Sequence, residues 1–147
     1  MKSRANEQFA FLLSRCSILW RTRVDERLRP WGMTHSSWRI LRVLTVSGQR
    51  HHQTSLAKEI GVETPTLVGI LDRMEKMQWV RREPDLHDRR VKNVEVTEEG
   101  VAICRQLEGE VEAVRKQMLV HLSREEVQTG IALLDKILRS GDHADGS

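Results

Sequence analysis

In Asp85-Leu86-His87-Asp88-Arg89-Arg90 the residue types and spacing suit a chemical task, and that task is recognition rather than bond-making. A guanidinium is planar, weakly hydrated and always charged, so it forks readily onto carboxylates and phosphates. It also suits the negative potential of a narrow, A·T-rich minor groove. Arg90 is therefore the first candidate for groove contact. Asp88, two residues earlier, can hold that side chain through a charge-assisted hydrogen bond, and Arg89 is placed to meet phosphate. The chain carries no glycine-rich phosphate loop, no nucleophile elbow and no credibly placed pair of carboxylates, so the residues point away from an enzyme.

The segments around this stretch must position it. Trp79 to Glu83 reads as one strand and Val91 to Val96 as another, with Val94 and Val96 alternating with Asn93 and Glu95. Together they predict a β-hairpin wing with a charged tip. Upstream, Thr54 or Ser55 is expected to cap a short helix holding Leu56, Ala57 and Ile60, and Gly61 supplies a sharp turn. Thr64-Pro65 then reads as an N-cap followed by proline at the first helical position, opening a helix with a buried stripe of Leu67, Leu71 and Met74. Helix, glycine turn and helix in so few residues predict a helix-turn-helix whose second helix enters the major groove. Thr64, Pro65 and Thr66 stand at its start, where side chains and backbone N–H groups meet phosphates and base edges. Ser55 begins the preceding helix and is a candidate for phosphate. Arg73 lies further along the recognition helix, suited to DNA contact or to an ion pair with Asp72 of the partner subunit or with Glu75 nearby.

Long helices flank this core. Phe9, Leu12, Leu13, Cys16, Leu19, Trp20, Val24 and Leu28 recur at helical steps until Pro30 and Gly32 stop the run. Thr34 caps the next helix, which carries Trp38, Leu41 and Leu44. Gln49 to Gln53, including His51-His52, reads as a solvated connector. Thr97 caps a long helix with a heptad-like seam of Cys104, Leu107, Val111, Val114 and Met118. Ser123 and Glu126 form a capping box for a last helix bearing Val127, Ile131, Leu134 and Leu138. A mainly α fold with a small β-hairpin follows: a single domain over 1–147 with a winged helix-turn-helix core at about 34–100, dimerisation helices at about 6–30 and 101–139, and a frayed tail at 140–147. A two-fold dimer gives the flanking apolar stripes a partner and sets two recognition helices one DNA turn apart, roughly 34 Å.

Charge is spread unevenly along the chain. The net charge of +3 resolves into +6 over residues 1–49, +2 over 50–92 and −5 over 93–147. Basic residues thus crowd the part that would face DNA. No apolar run approaches the ~20 residues of a membrane span, and Met1-Lys2-Ser3-Arg4 lacks the apolar core of a signal peptide, so a cytoplasmic location is expected.

Leu56-Ala57-Lys58-Glu59-Ile60-Gly61-Val62, Pro65-Thr66-Leu67-Val68, Leu71-Asp72-Arg73-Met74-Glu75, Asp88-Arg89-Arg90 and Val96-Thr97-Glu98-Glu99-Gly100 stand in an order and spacing that resembles the MarR family of bacterial transcription regulators. Trp20-Arg21, Asp25, Arg27-Leu28-Arg29-Pro30, Met33-Thr34 and Trp38 are similar to its SlyA branch. The resemblance covers almost the whole chain. It implies an obligate homodimer that binds palindromic promoter DNA and releases it when a small aromatic or phenolic anion binds, with Arg90 as the minor-groove arginine. Two positions depart from the family pattern. Gln78-Trp79 stands where a glycine and an aliphatic residue are usual, and Gly69 stands where SlyA-like proteins carry an arginine on the recognition helix.

A ligand cavity between the dimerisation helices and the winged helix is also implied by the resemblance. Arg15, Ser37, Trp38 and Arg39 are candidates to border it, offering a stacking face and a cation for a carboxylate. Tryptophans filling the core are an equally good account of Trp20, Trp31 and Trp38. No cofactor is implied. His35, His51, His52 and His121 lack zinc-ligand spacing. Two other readings stay open: a redox sensor using Cys16, although the chain has no tyrosine to tune it, and a winged-helix protein-interaction module that does not bind DNA.

Overall fold

The computed structural model describes residues 3–145 in backbone and side chains through residue 142. Among the described residues, six α-helices and three short strands follow one another as α1 (Arg4–Leu28), α2 (His35–Ser47), β1 (His51–His52), α3 (Gln53–Ile60), α4 (Thr64–Lys76), β2 (Val80–Pro84), β3 (Lys92–Val96), α5 (Glu98–Met118) and α6 (Arg124–Asp145). The chain divides into two compact units, one up to Glu112 and one from Ala113 onward.

In the first unit, Leu28, Ile40, Leu41, Leu44, Leu56, Leu67, Leu71, Val94 and Leu107 are fully buried. Each comes from the apolar stripe of its own element, so α1, α2, α3, α4, β3 and α5 all contribute to one core. Pro30 ends α1 in a single 3₁₀ turn, and Gly32 reverses the chain. The Thr34 cap forms as expected: Ser37 N–H donates to Thr34 Oγ1 at 3.1 Å, and Thr34 N–H donates to Ser37 Oγ at 2.9 Å. Asp25 of α1 accepts the His35 N–H at 2.7 Å, which ties α1 to the first turn of α2.

The strands form one antiparallel sheet in the order β1-β3-β2, with Val80 opposite Val96 and Pro84 opposite Lys92. Pro84 ends an edge strand, where its missing N–H leaves no ladder bond unmade. His51-His52 is not the solvated connector expected. It is the third strand, with His51 opposite Val94 and His52 opposite Asn93. Two residues are too few to show alternation, and only the partner strand makes them β.

The helix starts shift by a residue or two for the same kind of reason. His52 is pinned against β3, so α3 begins at Gln53 as soon as the strand ends, and neither Thr54 nor Ser55 is its cap. Glu63 stands at the cap position of α4, which places Thr64 and Pro65 inside the first turn. Proline there still loses nothing, because the first four N–H groups of a helix have no partner within it. Trp79 stays outside β2, because its N–H donates back to Met74 O at 3.0 Å and its carbonyl accepts Thr97 N–H at 3.0 Å. Gly61 takes φ +83° to turn from α3 toward α4. Gly100 is dictated by space: a Cβ there would lie 2.1 Å from Trp79 O.

In the second unit, Val114 is buried. Ser123 and Glu126 make the expected capping box, with Glu126 N–H on Ser123 Oγ at 3.1 Å and Ser123 N–H on Glu126 Oε1 at 3.0 Å. Helix α6 continues to Asp145, past Ser140 where the sequence suggests a tail. The tail's last two residues lie outside the described ones. Among the described residues, no helix is long and apolar enough to cross a membrane. The elements from α2 to β3 make a winged helix-turn-helix: α3, a glycine turn, α4, and the β2–β3 hairpin as wing.

Candidate nucleic-acid interface

Helix α4 and the wing present most of the candidates. Pro65, Thr66 and Arg73 are exposed along α4, and Thr64 is half-buried. Ser55 is exposed in the first turn of α3. Arg89 and Arg90 stand at the wing tip, and the Arg90 side chain is 91% exposed. Leu86 beside them is exposed as well.

Arg90 is exposed yet held. Its Nε donates to Asp88 Oδ1 at 3.0 Å and its Nη2 to Asp88 Oδ2 at 3.1 Å, a two-point fork, and its backbone N–H donates to the same Oδ1 at 3.1 Å. The fork restricts the side chain to one direction before any partner arrives. These bonds hold the Asp88 carboxyl below its ordinary value, the Arg90 side chain contributing most. The same pairing moves Arg90 upward.

Arg82 on β2 is a residue that sequence reasoning passes over. Its side chain is only 16% exposed and reaches Asp72 and Glu75 of α4. Its backbone N–H also donates to Glu75 Oε2 at 3.1 Å, and its Nη1 donates to Gln53 Oε1 of α3 at 3.5 Å. One guanidinium therefore joins the wing, the recognition helix and the helix before it. The Arg82 side chain, as the leading cause, pulls Glu75 below its ordinary value. Glu75, the nearby carboxylate expected as one alternative partner of Arg73, is paired with Arg82 instead. The signal was present in the strand period: Arg82 lies two residues from the buried Val80, on the same face.

At the base of the wing, Asp85 accepts His87 N–H at 3.0 Å and Asp88 N–H at 3.1 Å through Oδ2. Its Oδ1 accepts Asn93 Nδ2 at 3.0 Å. Asn93 is buried on the central strand.

The ligand candidates fall out differently. Ser37 and Trp38 are buried, and Ser37 Oγ is engaged in the α2 cap and donates to Met33 Sδ at 3.2 Å. Ser37 also borders a cavity of about 50 Å³ lined by Thr34, Ile70, Arg73, Met74 and Trp79 among others. That volume holds a water or two rather than an aromatic acid. Arg15 is exposed on α1 and Arg39 is half-buried on α2. Burial first, and then the Arg21 guanidinium, lower Arg39 from its ordinary value. The same burial, with Arg39 and Arg21, pushes His35 down against a pull upward from Asp25. Cys16 is exposed and Cys104 buried, and burial pushes the Cys104 thiol up, toward the unreactive protonated form. Among the described residues, no group of three or more His, Cys, Asp or Glu side chains could hold a metal ion.

The sequence model of the MarR family matches residues 33–92, the stretch from the start of α2 to the wing. A single-site mutant of MarR from E. coli, complexed with operator DNA, superposes with a TM-score of 0.81 at 26% identity, over 93% of this chain and 99% of that one. The apo form of wild-type MarR from E. coli gives a TM-score of 0.72 at 27% identity, over 88% and 95%. AbsC, a MarR family transcriptional regulator from Streptomyces coelicolor, shares the fold at a TM-score of 0.81 and 24% identity, over 100% and 99%. This winged helix-turn-helix with an arginine-tipped wing is thus similar to the MarR family of transcriptional regulators over residues 33–92 in sequence, and to solved MarR proteins over most of the chain in fold.

Proposed function

We propose that the chain acts as a homodimer on palindromic double-stranded DNA, with α4 in the major groove and the wing of each protomer in the minor groove. The observation that carries this reading is Arg90, fully presented at the wing tip and aimed by its fork to Asp88. Ser55, Thr64, Pro65, Thr66, Arg73 and Arg89 supply phosphate and base-edge contacts around it. The likeness to a MarR protein crystallised with operator DNA supports the same assignment. Dimerisation is favoured by the apolar side chains left exposed on the flanking helices, among them Phe9, Leu12 and Leu19 on α1 and Ile131, Leu134 and Leu138 on α6. Water-exposed stripes of this size call for a partner surface. A role on DNA implies work in the cytoplasm. The residues from Trp20 to Trp38 quoted above favour the SlyA-like branch within the family.

Selection of bound duplexes from a random pool tests the DNA reading. An inverted repeat with half-sites roughly 34 Å apart is expected, with affinity falling steeply as salt rises. If no duplex is enriched and none is retained at low salt, the reading is wrong.

The effector belongs to the same proposal: a small aromatic or phenolic anion that releases DNA. Support comes from Arg39, half-buried and beside the like charge of Arg21, where an anion would offset the repulsion. Arg15, Ser37 and Trp38 are the neighbouring candidates on α1 and α2. Titration with salicylate and hydroxybenzoates, read by tryptophan fluorescence and by release of a selected duplex, is expected to show both signals together. Release without dependence on Arg39 would move the site elsewhere.

A further inference from the structure

We propose that Asp85, braced by Asn93, is the residue that positions Arg90 on the wing. The proposal rests on the DNA reading above and names a determinant within it.

A loop that approaches phosphates gains nothing from carboxylates, yet the seven residues between β2 and β3 carry two, Asp85 and Asp88. Asp88 is accounted for by its fork to Arg90. Asp85 touches no arginine among the hydrogen bonds it makes. All three of its partners are N–H donors: the His87 and Asp88 backbones and the Asn93 side chain. Two of those donors lie in the loop, and the third is on the sheet. Asn93 sits on the central strand opposite both His52 and Glu83, so its side chain starts from a backbone paired on both sides. Asn93 is also one of only two buried polar residues in the described part of the chain, and its amide needs a partner there.

These bonds form a relay. Asn93 fixes Asp85 to the sheet, Asp85 fixes the backbone of Asp88, and Asp88 fixes both the backbone and the guanidinium of Arg90. Two main-chain bonds close the loop around the relay, Asp85 N–H to Val91 O at 2.8 Å and Val91 N–H to Asp88 O at 2.9 Å. The Asp85 carboxyl lies below its ordinary value, chiefly through the Asn93 amide and then the His87 N–H, as expected of a carboxylate that organises donors. Without the Asp85 side chain the Asp88–Arg90 pair would persist, but on a loop joined to the sheet through its main chain alone. Its direction would then have to be fixed on DNA, at the cost of ordering it there.

Charge and positioning predict opposite signs, which makes the idea testable. Asp85→Ala removes a negative charge near phosphate, so electrostatics alone predicts tighter DNA binding and a steeper salt dependence. Positioning predicts weaker binding, by roughly 5- to 20-fold at a selected operator. Asp85→Asn should recover most of that loss. Its amide oxygen still accepts the two loop N–H groups, and a flipped Asn93 can accept from its NH₂. A double-mutant cycle with Arg90→Ala adds a readout that a merely structural role would not move: in the Arg90→Ala background, Asp85→Ala should change affinity less than about twofold. Thermal melts of each variant accompany the titrations: Asp85→Ala should lower the melting temperature modestly, because the buried Asn93 amide loses its partner, and the titrations are made well below that midpoint. Affinity of Asp85→Ala equal to or tighter than wild type, or a loss that adds in full to that of Arg90→Ala, overturns the proposal alone. Failure of the wild-type protein to bind any selected duplex overturns the DNA reading and this proposal with it.

Discussion

On α4, Asp72 and Glu75 are both occupied by Arg82 of the neighbouring strand, and the middle of the exposed face is Gly69. On the wing, the carboxylates do the reverse. Asp88 holds an arginine outward and Asp85 holds the loop that carries it. The recognition helix thus uses its charge to fasten the two elements to each other, whereas the wing uses its charge to present one cation. This difference suggests a division of labour. On the proposed DNA reading, the helix would lay its surface in one groove, while most of the directed electrostatic contact would come from the wing in the next. A protein built this way should read groove width and flexibility at least as strongly as base identity.

The largest test of that division is Arg90→Ala. Operator affinity should fall roughly 10- to 100-fold, with the dimer intact and the melting temperature within a degree or two. Arg73→Ala on α4 should cost less in the same gel-shift titration. If the order is reversed, the helix rather than the wing carries the directed contacts. An intermediate effect is expected for Arg82→Met, which keeps the aliphatic stem and removes the fork. Stability should drop by about 1–2 kcal/mol, since the carboxylate partners are partly solvated and can turn to water. Affinity should drop several-fold because wing and helix lose their common register. An Arg82→Met variant that melts early yet binds normally would show that Arg82 serves the fold alone.

The distinction between presented and fastened charges also separates what could be read in the chain from what could not. Arg90 and Asp88 were legible because their contact is local, two residues apart on one loop. The helix stripes of Leu67, Leu71 and Met74, and the caps at Thr34 and Ser123, were legible for the same reason. For Arg82 the strand period gives only the inward face; its partners Asp72, Glu75 and Gln53 lie on two other helices and come together only when the core closes. Strand β1 was hidden likewise, since two histidines become a strand only beside Val94 and Asn93. Gln78 shows how a departure from the family pattern acquires a meaning. It takes φ +64°, the left-handed conformation that costs a non-glycine residue roughly 1–2 kcal/mol. The family's usual glycine at this junction thus has a backbone reason, and here the Thr97 hydroxyl, donating to Gln78 O at 2.6 Å, helps hold the strained turn.

Gly69 supplies the smallest and sharpest test. A Cβ built at this position meets nothing within 4 Å, and the backbone is helical, so neither packing nor conformation requires glycine. Within a helix interior, glycine is less favourable than alanine by about 1 kcal/mol. Gly69→Ala should therefore raise the melting temperature by roughly 2–4 °C. If the wing dominates, operator affinity should stay within about twofold, because a methyl group neither adds charge nor disturbs Arg82 and its partners. A tenfold loss with the same gain in stability would mean that DNA comes close enough to the α4 backbone to exclude one methyl group. The glycine would then be a point of close approach, and the weakly charged helix face would owe its specificity to shape.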